Sequence, residues 1–220
     1  VDQCDYNYIK NGSFEEIHSE IGLVNNKTLS NLNTWDVYAF LPHWNTVFGS
    51  GIEVHKTYNV TGESQDGSFH VELDSHHNST LGNSSGSVDS AMEQKVLLPE
   101  GTFHLNFYYK ARTHVPNENI IKVYIDGALK LTLTGEDYSW KKYRVEFENS
   151  SEKEVSIKFQ SFGENYQYGG LLDNVSLYKD CSNSCSGGSC HGGCKDHKHN
   201  THKHHDYDDH NPYGHHKHHD

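Results

Sequence analysis

Short runs of alternating apolar and polar residues recur along the first 180 residues of the chain, separated by Gly, Asn, Asp and Pro. A period of two is typical of β-strands that bury one face. No segment sustains a helical period, so the pattern predicts an all-β sandwich of roughly eight to eleven strands. The cleanest runs are residues 102–111 (TFHLNFYYKA), 120–126 (IIKVYID), 128–134 (ALKLTLT), 140–147 (WKKYRVEF) and 154–161 (EVSIKFQS).

Two further signals support the strand prediction. Asp126-Gly127 is a two-residue connection between two of the clean runs, which is typical of a β-hairpin. The LLDNVSLY run inside residues 169–181 follows a Gly-Gly turn and predicts the closing strand of the domain. The earlier predicted strands are residues 5–10, 35–40, 51–56, 68–73 and 91–98.

The composition changes abruptly after this closing strand. We expect a β-sandwich over residues 1–180, a Cys/Gly-rich segment over 181–194 and a His-rich tail over 195–220. The Cys/Gly-rich segment is too small to have a core of its own, so disulfides or a metal ion must hold any structure in it. With Cys4, the chain has an odd number of five cysteines, the other four being Cys181, Cys185, Cys190 and Cys194.

The tail favours transition-metal binding. Neutral imidazole is a preferred ligand of zinc, copper and nickel, and adjacent or alternate histidines place two ring nitrogens close together. The composition by itself predicts a solvated tail. Its ten histidines are His197, His199, His202, His204, His205, His210, His215, His216, His218 and His219.

Several features indicate a secreted glycoprotein. The sequence opens with VDQC rather than Met, as a chain does after removal of a signal peptide. The formal charge of −12 argues against nucleic acid and anionic membranes as partners, and no apolar stretch is long enough to insert into a membrane. Seven glycosylation sequons lie at Asn11, Asn26, Asn59, Asn78, Asn83, Asn149 and Asn174.

The order of short motifs resembles the galactose-binding-like jelly roll of carbohydrate-binding modules and plant cell-wall domains. The similarity covers roughly residues 3–178: NGSFEE, GIEV, DGSFHVELDS, QKVLLPEGTFHLNFYYKAR, a late Trp140, Tyr143 and Phe147, and GGLLDNVSLY. The resemblance implies a two-sheet sandwich without catalytic residues, in which the first and last strands are neighbours. It favours a disulfide between Cys4 and Cys181, and pairing of Cys4 with a tail cysteine is the alternative.

The resemblance also implies a structural calcium ion where the NGSFEE turn meets the last strand. The matching carboxylates are Glu15 and Asp173, and Asp66 is a further candidate, since calcium takes six to eight oxygen ligands. An ion would compensate the charge of Asp173 within an apolar strand. The alternative is that Asp173 accepts backbone N–H groups or pairs with a lysine, and that Glu15 is solvated.

A sugar site needs exposed aromatic rings with a few polar groups beside them. Trp44, Tyr166 and Tyr168 lie in loop-like stretches and are the candidate glycan-binding residues. Trp35 and Trp140 alternate like core residues, so we expect both in the core. We find no nucleophile elbow, HExxH motif or phosphate loop, and the order Asp-Ser-His-His at residues 74–77 carries no triad geometry, so no enzyme is predicted.

Three functions fit these features. The first is a structural glycoprotein that self-associates into an extracellular homopolymer through its tail and odd cysteine. The second is a soluble, calcium-dependent lectin for polysaccharide or glycoprotein glycans. The third is a metal-sequestering protein. The first explains the glycans and the tail together and is preferred on the sequence alone.

Overall fold

The computed structural model describes residues 3–17, 34–73, 89–163 and 168–181. They belong to the unit Val1–Asn183, whereas a second unit, Ser184–Asp220, lies outside the described residues. The strands are β1 (Trp35–Tyr38), β2 (Phe40–Leu41), β3 (Trp44–Phe48), β4 (Ile52–Lys56), β5 (Phe69–Glu72), β6 (Ala91–Leu98), β7 (Gly101–Lys110), β8 (Ile121–Ile125), β9 (Ala128–Leu133), β10 (Lys141–Asn149), β11 (Lys153–Ser161) and β12 (Leu171–Lys179).

The strands form two antiparallel sheets. The first sheet has the order β1-β4-β5-β12-β7-β10, and the second has the order β2-β3-β6-β11-β8-β9. Sequence neighbours are often separated by other strands, as in a jelly roll. The prediction of an all-β jelly-roll sandwich is confirmed, and β12 lies inside the first sheet rather than at its edge.

The core lies between the sheets and follows from the alternation. Phe103, Leu105 and Phe107 of β7 are all fully buried. The Phe107 ring meets Phe159 of β11 edge to face, with ring centroids 5.1 Å apart. Such aromatic contacts across two sheets fix their packing.

The prediction of one strand over residues 35–40 was wrong. The chain leaves the first sheet after Tyr38 and enters the second sheet at Phe40, so this stretch contributes β1 and β2 to opposite layers. Sequence reasoning also missed β3, because residues 44–48 follow a Pro-His turn and read as a loop. His43 has a positive φ of 70° in that turn, which reverses the chain into β3.

Residues 5–10 lie along the last strand, but they do not form the predicted strand. The Tyr8 N–H donates to the Leu177 carbonyl at 2.8 Å. The Leu177 N–H, however, donates to the Asn7 side-chain oxygen at 2.9 Å, and the Ile9 N–H uses the same oxygen at 3.1 Å. Because a side chain replaces a backbone carbonyl, no regular ladder forms.

The NGSFEE turn packs directly on β12. The Val175 N–H donates to the Gly12 carbonyl at 2.9 Å. A Cβ on Gly12 would clash with the Val175 carbonyl, so only glycine permits this approach. Nearby, Cys4 and Cys181 form a disulfide with their Cα atoms 5.9 Å apart, and this is the pairing that the resemblance favoured.

Candidate functional site

The outward face of the first sheet is unusually polar for a covered surface. Val54 of β4 and Val71 of β5 point into the core, so the residues on either side of them point the other way. Four of these outward residues are polar and at most 4% exposed: Glu53, His55, His70 and Glu72. Groups of this kind are retained in a fold only where they have partners or a function.

Aromatic and imidazole rings form a row across this face. Trp35 lies opposite His55 in the ladder, and His55 lies opposite His70. The ring centroids are 6.5 Å apart for Trp35 and His55, and 5.7 Å apart for His55 and His70. The row ends at Trp140, whose ring meets His70 edge to face at 5.5 Å.

The loop between β4 and β5 covers the end of the row. The His70 ring nitrogens contact the hydroxyls of Thr61 and Ser64, the latter at 2.8 Å. The Trp140 indole N–H donates to the Glu63 carbonyl at 2.8 Å. Lys110 donates to the Thr61 carbonyl at 2.9 Å and also to the Glu63 carbonyl. Contacts from its hydroxyl groups to His70 and hydrogen bonds from Trp140 and Lys110 to its carbonyl groups therefore hold the loop on this face.

Burial and neighbouring charge keep His70 neutral. Burial, together with the positive charges of His55, Lys110 and Arg112, lowers the pKa of His70 to about 2. Burial also lowers the pKa of Lys110, although the Glu63 carboxylate acts in the opposite direction. Neutral His70 can accept from one hydroxyl while donating to the other.

An open cleft of about 520 Å³ adjoins the row. Tyr138 in its wall is 48% exposed, whereas Trp140 is half-buried. The lining residues are Val60, Thr61, Gly62, Glu63, Lys110, Ala111, Arg112, Tyr138, Ser139, Trp140 and Leu171.

Two cations lie against aromatic rings at this cleft. The Lys110 ammonium lies 4.7 Å from the Trp140 ring centroid. The Arg112 guanidinium carbon lies 4.9 Å from the centroid of Tyr168, which is 36% exposed. Rings beside hydrogen-bond donors can stack on the C–H face of a sugar and bind its hydroxyls.

Behind the cleft, Glu53, His55 and Glu72 form a buried cluster. The His55 Nε2 atom lies 3.1 Å from Glu53 Oε1 and 3.0 Å from Glu72 Oε2. Burial lowers the pKa of His55, but the two carboxylates outweigh this effect and raise it to about 8. Arg112 Nε approaches Glu72 Oε2 to 3.8 Å, and the Gly169 N–H donates to Glu72 Oε1 at 2.9 Å.

The residues of the calcium prediction lie around the turn before β5, which includes Asp66 and donates hydrogen bonds to Glu15 and Asp173. Glu15 Oε1 accepts the Ser68 and Phe69 N–H groups at 2.9 and 3.0 Å. The Asp66 carboxylate accepts the Ser13 hydroxyl at 2.6 Å, and the Asp66 N–H donates to Asp173 at 2.9 Å. Glu15, Asp66 and Asp173 therefore meet around one turn.

Asp173 has the backbone partners that were the alternative to calcium. Its Oδ1 accepts the N–H of Asn174 at 2.7 Å, and its Oδ2 accepts the N–H of Asp66. Burial raises the pKa of Asp173 to about 8, although these N–H groups act in the opposite direction. Each carboxylate oxygen retains further acceptor capacity, and a calcium ion here stays a prediction.

The structure changes the assignment of the aromatic residues. Trp44 is fully buried, its ring packs on Phe14, and its N–H donates to the Asn11 carbonyl at 2.9 Å, so the prediction of a sugar platform there was wrong. The core prediction for Trp35 and Trp140 was also wrong, because both lie half-buried at the ring row. Tyr168 borders the cleft through Arg112, and Tyr166 lies outside the described residues.

Four of the sequons lie in the described residues. Asn149 is 4% exposed, and its side-chain N–H₂ group donates to the Leu98, Pro99 and Ser151 carbonyls, so the prediction of a glycan there is contradicted. Asn11 is half-buried and its amide nitrogen donates to two carbonyls, whereas Asn59 is exposed. The Asn174 amide nitrogen donates to Gln65.

Several predicted features lie outside the described residues. They are Asn26, Asn78, Asn83, residues 74–77, the cysteines Cys185, Cys190 and Cys194, and all ten tail histidines. In the part of the chain that the structure describes, no helix is long and apolar enough to cross a membrane.

Sequence reasoning missed the residues that form this face. His55 and His70 stand in GIEVHK and SFHVEL, where alternation reads them as the solvent side of ordinary strands. A signal was present, because both runs carry Glu and His at outward positions and would place them together if paired. The pairing of β4 with β5, and the loop that covers them, follow only from the tertiary structure.

Comparisons with known proteins give structural neighbours only. No protein-family model matches the sequence, and no curated protein matches it. A family 61 carbohydrate-binding module, TmCBM61, solved with β-1,4-galactotriose, is 18% identical, with 80% of this chain and 100% of that chain covered and a TM-score of 0.47. The domain itself is an all-β jelly-roll sandwich of two antiparallel sheets.

Two further solved structures are similar to this fold. A putative sugar-binding protein from Bacteroides thetaiotaomicron is 16% identical, with 80% of this chain and 100% of that chain covered and a TM-score of 0.45. The CBM22-1 xylan-binding domain from Paenibacillus barcinonensis Xyn10C is 11% identical, with 62% and 85% covered and a TM-score of 0.42. At these identities the likeness is one of fold alone.

Proposed function

We propose that this chain is a non-catalytic glycan-binding domain of a secreted glycoprotein, and that the cleft beside Trp140 is its binding site. The observation that carries this proposal is the combination of Tyr138 and Trp140 with Lys110 and Arg112 in one open cleft. The cleft volume of about 520 Å³ lies in the usual range for small-ligand sites.

The contacts at Trp140 favour a platform that is already positioned for a ligand. Its indole N–H is bonded to the Glu63 carbonyl and one side of the ring faces Lys110. A ring held in this way loses little conformational entropy on binding. Tyr138, which is more exposed, supplies a second surface and a hydroxyl.

A glycan array followed by calorimetric titration tests the site. The first probes are β-1,4-galactotriose and xylan, which are the sugars mentioned in the names of two structural neighbours. We expect Trp140→Ala and Tyr138→Ala each to weaken binding by about tenfold or more, as expected for loss of one stacked ring. The cleft proposal is wrong if both variants bind the selected glycan with unchanged affinity.

Tyr124→Ala is the matched control. Tyr124 also lies under a lysine, with the Lys158 ammonium 4.4 Å from its ring centroid, but it belongs to β8 in the second sheet. This variant should keep the wild-type affinity. Because the exposed sequon at Asn59 precedes the cleft residues Val60 and Thr61, each titration is made on glycosylated and deglycosylated protein.

The calcium proposal is tested by the same titrations. If a calcium ion bridges Glu15, Asp66 and Asp173, EDTA lowers both the melting temperature and the glycan affinity, and Asp173→Asn removes this dependence. Equal melting curves with calcium and with EDTA would leave the backbone N–H groups as the partners of Asp173.

Self-association into a homopolymer is the second candidate function, and the cysteine count favours it. The chain has five cysteines, and Cys4 with Cys181 uses two of them. The remaining three, 5 − 2, cannot all pair within one chain. One thiol is therefore available for a bond between chains in an oxidising compartment, and metal binding by the tail would add a second connection.

A further inference from the structure

The cluster of Glu53, His55 and Glu72 lies behind the cleft and takes no part in the proposed glycan contacts. We propose that these three side chains form a structural binding site for a zinc-class transition-metal ion. Its ligands differ from those of the calcium prediction near Asp173 and from the histidines of the tail.

The distances from His55 to the two carboxylates are close to those of a zinc site with three protein ligands. One ligand atom of each residue lies within 4.8 Å of the other two. Zinc bonds of about 2.1 Å at tetrahedral angles separate neighbouring ligand atoms by about 3.4 Å. The His55 nitrogen lies 3.1 and 3.0 Å from the two carboxylate oxygens, so shifts of a few tenths of an ångström would admit the ion.

The strand register places the two acids in direct opposition. Glu53 and Glu72 face each other across β4 and β5, and like charges at such positions destabilise a sheet. Both are also buried, at 4% and 0% exposure, which increases that cost. Arg112, at 3.8 Å from Glu72, compensates one of the charges. A cation bound between the two acids would reduce their repulsion further, as a proton on His55 also would.

The hydrogen-bond geometry favours the metal ion. His55 Nε2 and Glu72 Oε2 form an ion pair at 3.0 Å, but among the described residues neither atom makes a well-aligned hydrogen bond. His55 is 1% exposed, so water does not compensate. A metal ion between these atoms would bind the nitrogen lone pair and the carboxylate oxygen together.

The ligand set selects the kind of metal. One imidazole nitrogen with two carboxylate oxygens suits zinc and its transition-metal neighbours, whereas calcium requires six to eight oxygens. The surroundings hold the ligands in place. The Gly169 N–H binds the other oxygen of Glu72, and the His55 ring lies between Trp35 and His70.

A crystal of the full chain grown with zinc chloride tests the site by its position. We expect an anomalous peak at the zinc edge within about 2.2 Å of His55 Nε2 and of one oxygen from each glutamate. A peak bonded to these three side chains identifies this site, whereas a peak bonded only to tail histidines does not. Occupied tail sites with no peak at His55 would overturn the proposal in favour of a shared proton.

Melting curves supply a second test in solution. Zinc added to EDTA-treated, dialysed full chain at about 100-fold its Kd should raise the melting temperature by about 5–10 °C. Glu72→Gln and His55→Gln should lose this rise, whereas His104→Gln, which changes another histidine of the first sheet, should keep it. An equal rise in all four proteins would assign the effect to the tail and overturn the proposal.

Discussion

The sequons of this chain differ in whether the asparagine side chain is buried or exposed. A glycan replaces one hydrogen of the side-chain amide and needs space around it. Asn149 directs that amide toward three carbonyls inside the fold, whereas Asn59 lies on an exposed turn. A sequon is therefore required for N-glycosylation, but it does not by itself predict that the asparagine is glycosylated.

We expect Asn59 to carry a glycan and Asn149 to be unmodified in protein secreted from eukaryotic cells. Attachment at Asn149 would remove one of the two amide hydrogens that the three carbonyls share, at a cost of about 1–3 kcal/mol for each carbonyl left buried without a donor. Peptide mapping by mass spectrometry, with and without enzymatic deglycosylation, measures the occupancy of each site. Substantial occupancy of Asn149 in folded protein would contradict the position of its side chain.

His70 gives the stability of the fold a defined pH dependence. Its folded-state pKa is lowered to about 2 by burial, whereas the unfolded chain has an ordinary histidine pKa near 6.5. The unfolded state therefore binds more protons between these values, and stability falls as the pH falls below 6.5. From pH 7 to pH 5 the loss from this residue is about 2 kcal/mol.

Urea unfolding in EDTA at pH 7 and pH 5 measures this effect. His70→Gln should reduce the pH-dependent loss by about 2 kcal/mol, even if its stability at pH 7 is lower. His114→Gln changes an exposed histidine and should retain the wild-type dependence. If wild type and His70→Gln lose the same stability, His70 is not neutral and buried in the native state.

At the scale of elements, the last strand connects most parts of the candidate site. β12 pairs with β5 and β7, receives the NGSFEE turn at Val175, and begins next to Gly169, which bonds Glu72. A register shift between Asp173 and Ser176 interrupts its pairing with β7. This bulge lies where the turns before β5 and after Gly12 reach the strand.

The Cys4–Cys181 disulfide closes the domain at the end of β12. It spans 177 residues of sequence, so it removes much of the entropy of the unfolded chain, up to about 5 kcal/mol. We expect Cys4→Ala with Cys181→Ala to lower the free energy of unfolding by about 2–5 kcal/mol in urea. Cys185→Ser is the control and should leave it unchanged. Equal stability of all three proteins would show that the termini are held without this bond.

At the scale of the whole molecule, the assembly state separates the two candidate functions. We expect the native, unreduced protein to be larger than a single 25.0 kDa chain with any attached glycans, because the odd cysteine can bond a second chain. Light scattering with and without reductant measures the disulfide contribution, and a chelator arm measures that of metal ions. A monomer under all conditions would contradict self-association and leave glycan binding as the function to test.

The sequence determined the class of fold and most of its strands. The alternation of apolar and polar residues predicted the later strands of the chain with small errors in their end residues. One buried face imposes a period of two on any half-buried strand. It also determined the change of composition after residue 181 and the odd number of cysteines.

Only the tertiary structure decided which outward residues form a site. The period of two is the same for a solvated face and for a face that a loop covers, so Glu53, His55 and His70 read as ordinary surface positions. Their burial depends on the pairing of β4 with β5 and on the bonds from Thr61 and Ser64 to His70. For the same reason the predictions for both Trp44 and Trp140 were wrong, because Trp44 lies in the core and Trp140 lies at the cleft. The local pattern carries no information about what packs against a strand from elsewhere in the chain.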